Sequence, residues 1–184
     1  MRTVDATAQC ALMVGAGRPG EPGPKIVQPF LNKPEKAMKW ITREKIKVDR
    51  VACPWLIKKF IDPVAEFIFL PGNTDWSSIR DGHVYDVPNC ELGHHGEDVS
   101  FNSLLKKYRL TDPALGLLGE IVRAADSHPS KPHPAGEGLR WVAFGFSALG
   151  MPDQEILDRE FIVYDALYAE CRRRVSEASP GKAG

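Results

Sequence analysis

From residue 38 onward, apolar and polar positions fall into blocks, each closed by turn chemistry. Trp40 to Thr42 reads as a short strand. In the next block, V-D-R-V-A-C-P-W-L-I-K-K-F-I-D (48–62), Leu56, Ile57, Phe60 and Ile61 recur at helical spacing, with Lys58 and Lys59 on the other side. Pro54 suits the first position of a helix, which makes Cys53 its predicted N-cap. Asp62-Pro63 ends that helix. Ala65 to Leu70 is rich in aromatic and branched residues and predicts a strand, closed by Pro71-Gly72. Asn73 to Arg80 reads as one short helix with Thr74 as its cap. His83 to Val87 alternates and predicts the next strand, ended by Pro88.

The second half reads as helical. Ser100 to Tyr108 predicts a helix capped by Ser100, with Leu104, Leu105 and Tyr108 on one side. Asp112-Pro113 is a strong start signal, and Leu115, Leu118, Ile121 and Val122 carry the apolar stripe to about Asp126. Ser127 to Gly138 is a loop with three prolines. Leu139 to Leu149 is apolar almost all round, which predicts a central buried helix. Gln154 to about Arg174 predicts a long amphipathic helix, with Arg172, Arg173 and Arg174 complementing its dipole. Together these elements predict an α+β fold: a small β-sheet in the N-terminal half packed with a largely helical C-terminal half.

Three regions follow. Residues 1–37, with G-A-G-R-P-G-E-P-G-P at 15–24, are expected to be a flexible extension outside the fold, with Met38 as the natural start. Residues 38–175 form the domain, and the tail from Ser176 is expected to be disordered. A length of 184 residues suffices for one domain with a real core. The 24 basic and 24 acidic residues cancel, which argues against a broad nucleic-acid-binding surface. Four widely spaced cysteines form no C-x-x-C, so reduced thiols and a cytoplasmic location are expected. No apolar run reaches the roughly 20 residues of a membrane-spanning helix. Oligomeric state is not legible, and a homo-oligomer stays open.

Candidate chemistry concentrates in Val84 to Phe101. His94 and His95 are adjacent, Gly93 and Gly96 bracket them, and Asp86, Glu91, Glu97 and Asp98 lie close in sequence. His and carboxylate side chains bind divalent metals and move protons. The bland alternative is a polar surface loop. Cys53 at a helix N-terminus would meet unpaired N–H groups that lower a thiol pKa, making it a candidate reactive thiolate. The alternative there is a buried cysteine beside a helix start. Asp126, near a helix C-terminus where the dipole disfavours negative charge, calls for a compensating partner or faces water.

Four stretches in order resemble the chromate-resistance family, the ChrB C-terminal-type domain: K-W-I-T-R-E-K-I-K-V-D-R-V-A-C-P-W-L-I-K-K-F-I-D (39–62), E-L-G-H-H-G-E-D-V-S-F (91–101), D-P-A-L with I-V-R-A-A-D (112–126), and V-Y-D-A-L-Y-A-E-C-R (163–172). Asp49, Arg50, Cys53 and Pro54 match the first motif, Glu91 and His94 the second, and Asp126 the end of the third. The family often has a cysteine before S-F, where this chain has Val99. The resemblance implies a link to chromate resistance and chromate-responsive regulation. Longer members carry an extra N-terminal domain, the natural candidate for DNA binding, which residues 1–37 are too short to replace; nucleic-acid binding is therefore not expected.

These readings converge on one site. His94, Glu91 and Asp126 are the expected ligands of a divalent metal (iron, manganese or zinc), with Asp49, Arg50 and Cys53 as the candidate catalytic groups beside them. Chromate or a related oxyanion would meet Arg50 and the N–H groups of the Cys53 helix; without a metal, Cys53 would be the reductant. Two other classes stay open: a non-catalytic sensor of chromate or metal, and a structural domain whose shared motifs serve packing.

Overall fold

The computed structural model describes residues 37–178. The expectations for residues 1–36 and 179–184 lie outside the described residues. Three parallel strands, β1 (Lys39–Arg43), β2 (Glu66–Leu70) and β3 (His83–Val84), form a small sheet in the order β2-β1-β3. β1 pairs with β2 from Lys39↔Glu66 to Arg43↔Leu70, and with β3 at Trp40↔His83 and Ile41↔Val84. Trp40, Ile41 and Thr42 are buried because the central strand is covered on both faces. Five helices follow the same chain order: α1 (Val48–Leu56), α2 (Ser100–Lys107), α3 (Pro113–Asp126), α4 (Pro134–Ala148) and α5 (Asp153–Ala178). The α+β architecture expected from the sequence is the architecture observed. Among the described residues, no helix is long and apolar enough to cross a membrane.

α1 is the hub, packing against α2, α3, α4 and α5. Its start is the main correction to the sequence reading. The helix begins at Val48, so Cys53 and Pro54 lie inside it and Cys53 is not the N-cap. Val48, Val51, Ala52 and Trp55 form an apolar stripe that precedes the one used to place the helix, and all four are buried. That burial outweighs the main-chain hydrogen bond lost at Pro54. Beyond Leu56 the helix widens into a π-helical turn (Ile57–Ile61), closed by Asp62 N–H donating to the Ile57 carbonyl at 2.7 Å.

Polar ties fix α1 against its neighbours. The Trp55 indole N–H donates to Asp165 on α5 at 2.9 Å, and the Tyr164 hydroxyl donates to the Val48 carbonyl at 2.8 Å. Asp153, at the start of α5, accepts from the main-chain N–H groups of Lys45 and Ile46. The Trp40 indole donates to buried Asp62 at 3.1 Å, joining the central strand to the turn that closes α1.

Several smaller differences from the sequence reading follow. Only Trp76–Ser78 is helical between β2 and β3, a short 3-10 turn capped by Asp75 rather than Thr74, whose hydroxyl donates back to the Pro71 carbonyl. β3 stops at Val84 because Asp86 takes a left-handed φ of 48°. Val99, not Ser100, is the N-cap of α2. α4 is not a central buried helix: only Gly136, Leu139 and Ala143 are buried, and Trp141 is 74% exposed. α5 runs on to Ala178, past the expected tail start at Ser176, with Arg173 bridging Glu170 and Glu177 in its last turns.

Candidate metal centre

The site is built from the first turn of α1, the segment after β3, the loop before α2 and the last residue of α3. Asp49 is the second residue of α1 and is fully buried. Its carboxylate accepts from the main-chain N–H of Ser100 at 2.6 Å and of Phe101 at 3.0 Å. It therefore caps α2, whose own N-cap Val99 has no side-chain oxygen to offer. One turn along α1, the Cys53 thiol donates to Asp49 Oδ1 at 3.5 Å.

Asp86 is turned inward by the left-handed step that ends β3. It accepts from the Ser100 hydroxyl at 3.0 Å and from Arg50 Nη1 at 3.2 Å. Arg50 also donates to the Lys45 carbonyl at 3.2 Å. Asp126 ends α3, where Arg140 of α4 takes over the exposed carbonyls of Ala124 and Ser127 at 3.0 and 2.8 Å. Gly136 allows that approach, since a Cβ there would stand 2.5 Å from the Ala124 Cβ.

One nitrogen meets all three carboxylates. His94 Nε2 lies 3.4 Å from Asp49, 3.1 Å from Asp86 and 3.4 Å from Asp126. Contact with Asp49 and Asp86 raises His94 from its ordinary 6.5 to about 10, so it is an imidazolium at neutral pH. Burial and the Asp49 and Asp86 charges push Asp126 up to about 7. Burial, above all, raises Asp49. Arg50 balances Asp86 and His94⁺ balances Asp49, which leaves Asp126 as a carboxylate in excess, close to half protonated at neutral pH.

A divalent cation fits this donor set. Donor atoms of Asp49, His94 and Asp126 lie within 4.8 Å of one another. Around an ion with bonds of about 2.0–2.1 Å, neighbouring donors stand about 3.0–3.4 Å apart, the spacing seen around His94 Nε2. Such an ion would displace the proton on His94 and the part-occupied proton on Asp126. An oxyanion alone fits poorly, because three carboxylates face the same point. The N–H groups expected to meet chromate are also committed elsewhere. α1 starts at Val48, and the Asp49 N–H faces the Asp126 carboxylate.

Beside the centre a cavity of about 560 Å³ opens to solvent, lined by Arg43, Asp86, Cys90, Glu91, His94 and His95 among others. Asp86 is paired with Arg50 and Glu91 with Lys107. Arg43 is the charged lining residue with no partner among the described residues. His95 Nε2 bonds the Glu91 carbonyl at 2.9 Å and so braces the loop.

The structure thus brings together His94, Asp126 and Asp49, and links Arg50 to them through Asp86. It does not bring Glu91 to the cluster: that side chain is exposed and ion-paired with Lys107 at the rim. Cys53 lies next to Asp49 but is fully buried, and burial with the Asp49 charge raises its thiol well above the ordinary 9.0. This reverses the lowering expected from an N-cap position. Asp86 is the site residue that sequence reasoning passed over as one of several loop acids. Its signal was an acidic residue within the apolar alternation V-Y-D-V, closed by proline. Another buried acid, Glu160 on α5, stands apart with no hydrogen-bond partner among the described residues and is pushed by burial to about 7.

Comparison with known proteins gives the family. The family model described as ChrB, C-terminal domain, matches residues 40–171, which include every residue of the cluster. Protein ChrB of Cupriavidus metallidurans is 35% identical over 130 residues, covering 70% of this chain and 39% of that protein. The chain thus spans about two fifths of the curated relative's length. No solved structure matches the chain. With the matched segment running from the central strand to the last helix, the chain belongs to the ChrB C-terminal domain family.

Proposed function

We propose that this domain holds a divalent cation through Asp49, His94 and Asp126, with Asp86 beside them. We further propose that it uses this centre to engage chromate or a related oxyanion in chromate or metal detoxification. The observation that carries the reading is the convergence of three carboxylates on His94 Nε2 at 3.1–3.4 Å, of which only Asp86 has a guanidinium partner, Arg50. Iron, manganese and zinc all suit an imidazole–carboxylate set. Bound there, the ion supplies the positive charge that an oxyanion needs next to three acids. The protein's own contribution is positioning. Asp49 is locked by the α2 N-terminus and Asp86 by Arg50 and Ser100, so both are held before any ligand arrives. Arg43 offers a guanidinium to an anion in the adjoining cavity. Cys53 holds the buried side of Asp49 as a neutral thiol.

A second reading is a sensor that binds and reports without turnover. It is favoured by the origin of the ligands on α1, α3 and the loop before α2, since one ion would tie three elements together. Elemental analysis of untagged protein tests the metal. Near-equimolar manganese, iron or zinc is expected in the wild type and none in His94→Ala with its fold intact. Metal-free protein in both cases would overturn the proposal. Arg43→Ala is expected to keep the metal and weaken chromate binding. Product formed from chromate would mark an enzyme, and stoichiometric binding alone a sensor.

A further inference from the structure

We infer that α4 is a self-association surface, through which two copies of this chain pair antiparallel about a two-fold axis near Trp141. The helix is the most apolar of the described helices in its outward face. Trp141 is 74% exposed, Phe144 50% and Leu149 68%. With Gly145 and Ala148 they form one stripe at helical spacing. A monomeric surface seldom leaves a tryptophan and a phenylalanine side by side in water. The stripe has no cover among the described residues, and none of its members belongs to the His94 cluster.

The patch is complementary to itself. About an axis at Trp141, Gly138 of one copy faces Phe144 of the other, since each lies three residues from Trp141. A Cβ at Gly138 or Gly145 would meet nothing within 4 Å, so both leave room for an incoming ring. A groove of about 310 Å³ lined by Arg140, Trp141 and Phe144 stands ready to receive the partner's indole. Charge agrees with the same register. Glu137 marks the N-terminal end of the stripe, where it accepts from the Trp141 indole N–H at 2.7 Å and faces Arg140 of its own helix at 3.8 Å, on the outer side of the stripe. Lys47 marks the other end, its ammonium 4.1 Å from the centre of the Phe144 ring and without a carboxylate partner among the described residues. Antiparallel pairing brings Glu137 of each copy toward Lys47 of the other, the isologous arrangement of a two-fold interface. The rings and aliphatic groups of both copies would bury on the order of 1,000 Å² in total, the small end of specific interfaces.

Sedimentation of the full chain, from low micromolar to near-millimolar concentration, tests the inference. The mass is expected to rise toward twice 20.4 kDa. Trp141→Ser with Phe144→Ser should stay monomeric with unchanged circular dichroism. Lys47→Glu should weaken the dimer about tenfold, and adding Glu137→Lys should restore it, as for a charge pair across the axis. Three results would overturn the inference: a wild type monomeric throughout, a dimer indifferent to the Trp141 and Phe144 changes, or a charge reversal that is not rescued. In the first case, a Trp141 shielded from acrylamide quenching would assign the stripe to cover from elsewhere in the same chain.

Discussion

His94 shows how one residue can be read from the sequence and still need its surroundings for its chemistry. Its neighbours in the chain, Glu91 and His95, turn out to brace the loop. Its partners in space come from positions 49, 86 and 126. Folded His94 and Asp126 hold a proton more tightly than their unfolded counterparts, at about 10 against 6.5 and about 7 against 3.8. Their stabilising effect is therefore full at low pH and is lost as pH rises, through about 7 for Asp126 and about 10 for His94. A divalent cation competes with those protons. Its apparent affinity is expected to rise roughly tenfold per pH unit for each proton displaced, between about pH 6 and pH 8. Titration calorimetry in buffers of different ionisation enthalpy should show more than one proton released; a heat independent of buffer would contradict the proton-for-metal exchange.

At the scale of elements, the site is a matter of helix ends. α1 presents Asp49 from its first turn to the open N-terminus of α2, and α3 presents Asp126 from its last residue. Both positions depend on packing that propensity does not encode. α4 holds the end of α3 through Arg140 and through the close approach at Gly136, where a Cβ would stand 2.8 Å from the Ala124 carbonyl carbon. Gly136→Ala is therefore expected to destabilise the domain by about 1–3 kcal/mol, the usual range for overpacking. Chemical denaturation measures this. The same variant should bind metal more weakly, because Asp126 moves with the helix end. Unchanged stability would mean that α4 yields without disturbing α3.

On the scale of the whole molecule, the ligands join the sheet side to the helical side. α1 is the hub, the segment carrying Asp86 and His94 continues from β3, and Asp126 belongs to the helix packed against α4 and α5. An ion bound only by the folded state stabilises all of it together. At a free concentration about 100 times its dissociation constant, the gain is about 2.7 kcal/mol. Melting with and without the ion should show a single transition that moves up by several degrees, returns on addition of a chelator and does not move in His94→Ala. A shift confined to one of two transitions would show that the halves melt separately.

Much of this was legible in the chain itself. Apolar periodicity determined the α+β order, the Asp112-Pro113 start and the long last helix, because burial of a stripe and a cap on adjacent residues are local properties. The sequence also singled out His94, Asp49 and Asp126, through their residue types and the family motifs they match. Tertiary structure alone decided how they meet. It placed Cys53 inside α1 because the earlier stripe Val48, Val51, Ala52 and Trp55 is buried. It sent Glu91 to Lys107 and drew Asp86 in through a left-handed step. It turned the apolar face of α4 outward. The first three depend on partners more than ten residues away, and the charge balance of a buried cluster exists only once its members are side by side.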